Sequence, residues 1–278
     1  MPLSRADFDF VRDLVCSRSA IALPAEKLYL AEARLGPLAL AEGFESIAEL
    51  LGQVRALPGG GLPQKVVEAL ATNETSFFRD LHPFEALRRD ILPALIQRRS
   101  AARRLEIWCA ASSSGQEAYS IAMLLREHFA GLPGWTVSIL ATDISSEILR
   151  KASEGRYNQA EINRGLPARL LVKYFRKQGT SWQITEEIRR MVEFRTLNLI
   201  EPWPPLHSPD ILLLRNVLIY FGIETRKMIL GRIHRVLRPD GYLFLGGAET
   251  TLGLDDAFER TEHERAGCYR LRRPSARA

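Results

Sequence analysis

No run of apolar residues in the 278-residue sequence approaches the roughly 20 that a membrane-spanning helix needs, so insertion into a bilayer is not expected. Cysteine is scarce. Cys16, Cys109 and Cys268 lie far apart, are odd in number and form no CxxC pair, which argues for reduced thiols. The opening stretch MPLSRADFDFVRDL has acidic residues where a secretory signal would have its apolar core, and a cytoplasmic location is expected. There is no GxGxxG fingerprint, no internal repeat and no long low-complexity segment. No basic run is interleaved with aromatics, so nucleic acid is not an expected partner.

What is present is the profile of an ordinary globular protein, with 46% hydrophobic and 26% charged residues. The net charge of +5 is unevenly spread. Residues 1–72 carry 7 Lys/Arg against 9 Asp/Glu, whereas residues 145–195 carry 11 against 6. That block reads either as a solvated helical surface or as a patch facing an acidic partner or anionic cofactor.

Residues 5–18, 25–41, 46–57 and 63–72 read as helices. Pro24 can open the second, and Ser46 with Glu49 forms an S-x-x-E capping box for the third. LPGGGLP at 57–63 is a breaker cluster, and a domain boundary is expected near Thr72. Beyond it, short apolar runs alternate with helical stretches. LEIWCA (105–110), WTVSILATD (135–143), VEFRTLNL (192–199), DILLLRNV (210–217) and GYLFLGG (241–247) read as strands of a parallel, doubly wound sheet. Helices are expected from Gln116 to about Ala130, from Ser145, and from about Glu224 to Leu237. CYRLRR (268–273) reads as a late antiparallel edge strand, and the tail RRPSARA is expected to fray.

In such a sheet, ligands bind beyond the carboxyl ends of the strands. The first strand runs into Ala110, Ala111, Ser112, Ser113, Ser114 and Gly115, all small enough to let a ligand approach the backbone. Ser114 and Glu117 also match a helix capping box, which by itself accounts for Glu117. The second strand ends at Asp143. A carboxylate there either accepts both ribose hydroxyls of an adenosine-containing ligand or caps the helix near Ser145. Asn198 and Asn216 follow later strands, where Asn serves either a ligand or a turn. Polar groups at four strand ends converge on one crevice, which favours a ligand site.

These residues also carry a resemblance. TNETSFFRD (72–80), IWCAASSSGQEAYSIAM (107–123), ATDIS (141–145), LLLRNVLIYF (212–221) and LRPDGYLFLGGAET (237–250) resemble the CheR family of receptor glutamate methyltransferases, over nearly the whole chain. The resemblance implies an all-α amino-terminal domain over 1–72 and a class I, Rossmann-like α/β methyltransferase domain over 73–278. A small antiparallel β-subdomain would be inserted at about 174–194. It implies S-adenosylmethionine as donor, S-adenosylhomocysteine as product, no metal, and the cytoplasmic domain of methyl-accepting chemoreceptors as partner of a monomer. Donor contacts carried over by resemblance are Asn73, Thr75, Arg79, Glu117, Asp143, Asn198, Leu199, Asn216 and Val217, beside Ala110 in the loop. Arg79 and Tyr220 match residues beside the reacting methyl, and Arg176, in KYFRK, matches a third residue linked to activity. Where the family commonly has Thr before the glycine and Glu-Glu-Pro after it, this sequence has Ser114, Gln116, Glu117 and Ala118, one negative charge fewer near a sulfonium.

A glutamate acceptor is already ionised near neutral pH, so the chemistry needs alignment and dehydration more than a general base. Enzymes that methylate flipped bases place Asn/Asp-Pro-Pro-aromatic after the fourth strand. Here Asn216, Val217, Leu218 and Ile219 stand there, and Pro204-Pro205 precedes the strand. A non-catalytic binding module is disfavoured by the retained Arg79, Asp143, Asn216 and Tyr220. Family members that grip a receptor's carboxyl-terminal peptide carry a longer, glycine-containing loop after the KYFRK-like segment. The shorter Lys177–Met191 segment implies tail-independent recognition, with SWQI (181–184) the strand that an added peptide would pair with.

Overall fold

The computed structural model describes residues 3–129 and 132–272, in two compact units, Met1–Thr72 with Tyr220–Thr225, and the remainder of the chain. In the first unit, α1 (Arg5–Ser19) is capped by Ser4, whose hydroxyl accepts from Asp7 N at 3.1 Å. Pro24 precedes a single 3-10 turn that leads into α2 (Leu28–Ala41). Ser46 caps α3 (Ile47–Ala56), but the box closes one residue early, with Glu49 accepting from Glu45 N at 2.9 Å. Breakers at 57–60 lead into α4 (Gly61–Leu70), whose last carbonyls are held by Arg34. Phe8, Val11, Val15, Leu35, Leu50, Val54, Val67 and Leu70 form the buried core. Each buried side chain of this size contributes roughly 1.5–3 kcal/mol. The Tyr220–Thr225 segment joins this unit through an Ile21–Phe221 bridge and a hydrogen bond from Ala22 N to Tyr220 O at 3.0 Å.

The second unit opens with α5 (His82–Ala86), a π turn and α6 (Leu92–Arg98). There follow β1 (Arg104–Ala110), α7 (Gln116–His128), β2 (Thr136–Asp143) and α8 (Ser146–Glu154). Next come β3 (Arg156–Asn158), α9 (Gln159–Asn163), α10 (Ala168–Tyr174), β4 (Phe175–Gln178), β5 (Ser181–Ile184) and α11 (Glu186–Arg189). The chain closes with β6 (Val192–Thr196), β7 (Ile211–Leu214), α12 (Ile223–Val236), β8 (Tyr242–Leu245), β9 (Phe258–Arg260) and β10 (Cys268–Leu271). The expected helix end at Ala130 and the tail from residue 273 lie outside the described residues.

The main sheet runs β6-β2-β1-β7-β8-β10-β9, parallel from β6 to β8 and antiparallel thereafter. Ile211–Leu214 and Tyr242–Leu245 are buried throughout, as strands covered on both faces must be. At the other end of β1 and β7, fully buried Asp210 accepts from Glu106 N at 2.9 Å and pairs with Arg99 at 2.8 Å.

Two expectations need correction. Cys268–Leu271 is antiparallel but is not the edge, because β9 pairs outside it. Three residues reading FER, one apolar and two charged, are too short to announce a strand. The second sheet runs β3-β5-β4, so SWQI is its centre, paired on one side with Arg156–Asn158 and on the other with Phe175–Gln178. Its backbone groups are used, and no peptide strand can add to it. This sheet also draws β3 from ahead of the 174–194 segment.

Candidate active site

Strand order reverses between β1 and β7, with β2 and β6 to one side and β8 to the other. That is the switch point where an open α/β sheet has its ligand crevice. The loop after β1 supplies one wall. Ala111, Ser113 and Gly115 have φ of +53, +51 and +86. At Gly115 a Cβ would lie 3.1 Å from both Ala152 Cβ and Phe194 Cζ, so the position requires glycine on two counts. Tyr157, fully buried, donates its hydroxyl to Ser114 O at 2.7 Å and braces the loop from behind.

Asp143 is 5% exposed at the end of β2. Its Oδ2 accepts from Ser113 N at 2.9 Å and its Oδ1 from Ser145 N at 3.1 Å. The cap of α8 is Ser145 itself, accepting from Ile148 N at 3.2 Å, so helix capping does not explain Asp143. The carboxylate ties two strand-end loops together at the position where a ribose is held in this fold class.

Glu117 departs from the capping-box alternative as well. Gly115 is the N-cap of α7 and makes no side-chain cap. Ser114 Oγ donates to Gln116 Oε1 at 2.8 Å, which places Gln116 in the interior as a neutral, hydrogen-bonded amide. Glu117 Oε2 accepts from Arg215 Nη1 at 2.7 Å. Arg215 has a side chain only 2% exposed and also pairs with Asp80 at 2.8 Å. Breaking the buried Arg215–Glu117 pair would cost on the order of 3–5 kcal/mol.

Asn73 O accepts from Ser113 Oγ at 2.8 Å, so the segment before α5 lies against the loop after β1. Arg79 is half-buried and donates to Glu74 O at 3.1 Å, and no carboxylate among the described residues pairs with it. Thr75 is half-buried nearby. Asn198 accepts from Ile200 N at 3.2 Å and donates to Glu201 at 3.1 Å, while Leu199 is buried beside it. Asn216 has φ +60, and the backbone N–H groups of Asn216, Val217 and Ile219 all donate to Glu249, at 2.7, 2.8 and 3.3 Å. Gly246 N adds a fourth bond to this carboxylate at 2.6 Å. Burial, followed by the charge of Glu117, pushes the Cys109 thiol at the end of β1 well above its ordinary range.

Asn73, Arg79, Ala110, Glu117, Asp143, Asn216 and Val217 are thus tied to strand ends of one unit or to the segment leading into it. Tyr220 belongs to the first unit. Arg176, on exposed β4, folds back onto the carbonyls of Phe175 and Val172 at 2.9 and 3.3 Å, and no hydrogen bond or ion pair links it to the others among the described residues. Sequence reasoning passed over Arg215, Glu249 and Tyr157. Arg215 was legible as a charge closing a strand of four buried apolar residues, and Glu249 as an acid just past the Gly246-Gly247 pair.

Four buried side-chain polar atoms among the described residues have no hydrogen-bond partner, and three of them, Ser112 Oγ, Arg215 Nε and Asn216 Oδ1, stand at these strand ends. Buried polar groups are normally satisfied, so an orphaned set around a ligand crevice fits a polar ligand that completes it.

A model described as "CheR methyltransferase, SAM binding domain" matches residues 73–266, and one described as "CheR methyltransferase, all-alpha domain" matches residues 6–70. Chemotaxis protein methyltransferase Cher2 of Pseudomonas putida is 40% identical over 266 residues, covering 94% of this chain and 96% of that protein. Chemotaxis protein methyltransferase 1 of Pseudomonas aeruginosa is 40% identical over 276 residues, covering 98% and 100%. The chemotaxis protein methyltransferase of Vibrio parahaemolyticus is 38% identical over 267 residues, covering 95% and 96%. With both domains matched in order along one polypeptide, the chain belongs to the CheR methyltransferase family.

Proposed function

We propose that this protein transfers a methyl group from S-adenosylmethionine to glutamate carboxylates of methyl-accepting chemoreceptors, forming methyl esters. The observation that carries the reading is the pair of anchored carboxylates beside the donor loop, Asp143 fixed by Ser113 and Ser145, and Glu117 fixed by Arg215. A carboxylate has about four acceptor positions, and Asp143 offers the geometry that vicinal ribose hydroxyls need. Glu117 uses Oε2 for Arg215, which leaves Oε1 available to the donor's cationic ammonium. Asn216 Oδ1 is a second acceptor for the same end of the donor.

The donor supplies an activated methyl on a sulfonium. The chain's task is to align the acceptor and exclude water, since the glutamate is ionised without help from a base. Charge is neutralised as the carboxylate attacks, so a cation gripping the acceptor tightly would favour the ground state. Arg79 accordingly orients groups beside the methyl. Transfer of labelled methyl to a receptor signalling domain, released as methanol by mild alkali, tests the ester; an alkali-stable label would contradict it.

Recognition is independent of the receptor's carboxyl-terminal tail. In support, β4 and β5 are joined by Gly179 and Thr180 alone, which leaves no loop to shape side-chain pockets for a peptide. Arg156, Arg176, Lys177 and Arg189 have no carboxylate partner among the described residues, and such charges suit salt-sensitive contact with acidic receptor helices. A receptor lacking its tail is methylated at the full rate; loss of methylation on truncation would overturn this.

A further inference from the structure

Arg215 serves partners in two different parts of the site. Its Nη1 donates to Glu117 Oε2 at 2.7 Å, and its Nη2 to Asp80 Oδ2 at 2.8 Å and Arg79 O at 2.9 Å. The guanidinium also lies 5.9 Å from the Phe84 ring centroid. A planar fork can span two carboxylates and a carbonyl; the point charge of a lysine cannot. Glu117 sits in the first turn of α7, directly after the loop that leaves β1. Arg79 and Asp80 lie on a corner of unusual backbone, with φ of +48 at Phe78, +65 at Asp80 and +43 at Leu81. Side chains are disfavoured in that region, and such strain persists only where surrounding contacts over-determine it. The corner is held by the two Arg215 bonds, by Phe78 N donating to Ser120 Oγ at 3.0 Å, and by Leu81 N donating to Phe78 O at 3.0 Å.

We propose that Arg215 is a positioning residue for methyl transfer, which locks the strained corner bearing Arg79 and the donor-facing carboxylate of Glu117 into a single arrangement. The proposal rests on the function given above. In this role Arg215 acts through its two arms. Removing the charge of the Asp80 arm loosens the corner while Glu117 stays paired, so turnover suffers and donor affinity does not. Replacing Arg215 loosens both arms.

The test is Asp80→Asn, a near-isosteric change at a side chain 53% exposed, which leaves the fold unchallenged. Affinity for S-adenosylhomocysteine is measured by calorimetry, kcat with saturating donor and receptor, and folding by the unfolding midpoint. Asp80→Asn changes product affinity less than about twofold and lowers kcat roughly tenfold or more, at an unchanged midpoint. Arg215→Lys lowers both quantities, and adding Asp80→Asn to it lowers kcat no further. The proposal is overturned by wild-type kcat in Asp80→Asn, by equal losses of affinity and kcat, or by a kcat loss matched by loss of folded protein. A wild-type chain that binds no S-adenosylhomocysteine would refute the functional reading and this proposal together, whereas a binding wild type with an indifferent Asp80→Asn refutes the proposal alone.

Discussion

At the scale of single residues, Asp143 does two things at once. It anchors the donor loop through Ser113 N and stands where the ribose is expected. Asp143→Ala should therefore weaken S-adenosylhomocysteine binding by about 2–4 kcal/mol, since charge-assisted hydrogen bonds are lost together with the loop's anchor. Calorimetry decides, and unchanged affinity would remove Asp143 from the site. Gly115→Ala adds a methyl against Ala152 and Phe194 at φ +86, and should lower stability by about 1–3 kcal/mol in thermal unfolding. Both residues were legible in sequence because a strand-end acid and a loop glycine carry local signals. Glu117 was legible only in part. Its spacing from Ser114 matches a capping box, and the partner that displaces that reading, Arg215, is 98 residues away.

At the scale of elements, local pattern and distant pairing parted company. The parallel strands were readable because buried β-formers alternate with helices. The order within the small sheet was not, since nothing in SWQI distinguishes a central strand from an edge; β3, from residues 156–158, decides that. Glu249 shows the same limit on the site side. From the loop after β8 it accepts from four backbone N–H groups, three of them after β7. Glu249→Gln turns an amide NH2 toward donors, and should cost about 1–3 kcal/mol of stability and weaken product binding with it. Full product affinity in a folded Glu249→Gln protein would show that the Asn216 loop needs no such clamp.

At the scale of the whole molecule, most cations of the basic block have an acidic partner in the folded protein. Arg150, Lys151, Arg190 and Arg195 pair with acids inside it, and Arg164, Arg169 and Lys173 with acids outside it. Some of these acids set the response to pH. A hydrogen bond from Lys173, with Tyr174, holds Glu127 below the usual carboxylate range, and one from Arg99 does so for Asp240. Their contribution is present above the unfolded carboxylate values near about pH 4 and drains as pH falls toward the folded ones. Burial pushes Cys268 up to about 12 and Cys109 well above its ordinary value. That contribution is complete below about pH 8.5 and lost as pH rises. The unfolding midpoint should be flat from about pH 7 to 8 and fall on both sides, and a midpoint rising above pH 9 would contradict the thiol assignment. In native protein a thiol reagent should modify exposed Cys16 quickly and the other two cysteines only on unfolding.

The central claim is that these anchored carboxylates serve methyl transfer to receptor glutamates. Mass spectrometry of a chemoreceptor cytoplasmic domain, after incubation with the protein and S-adenosylmethionine, tests it most directly. The account predicts methyl esters confined to glutamate side chains and absent with Asp143→Ala at limiting donor. Methylation on any other residue type, or no modification of a receptor in the presence of bound donor, would contradict it.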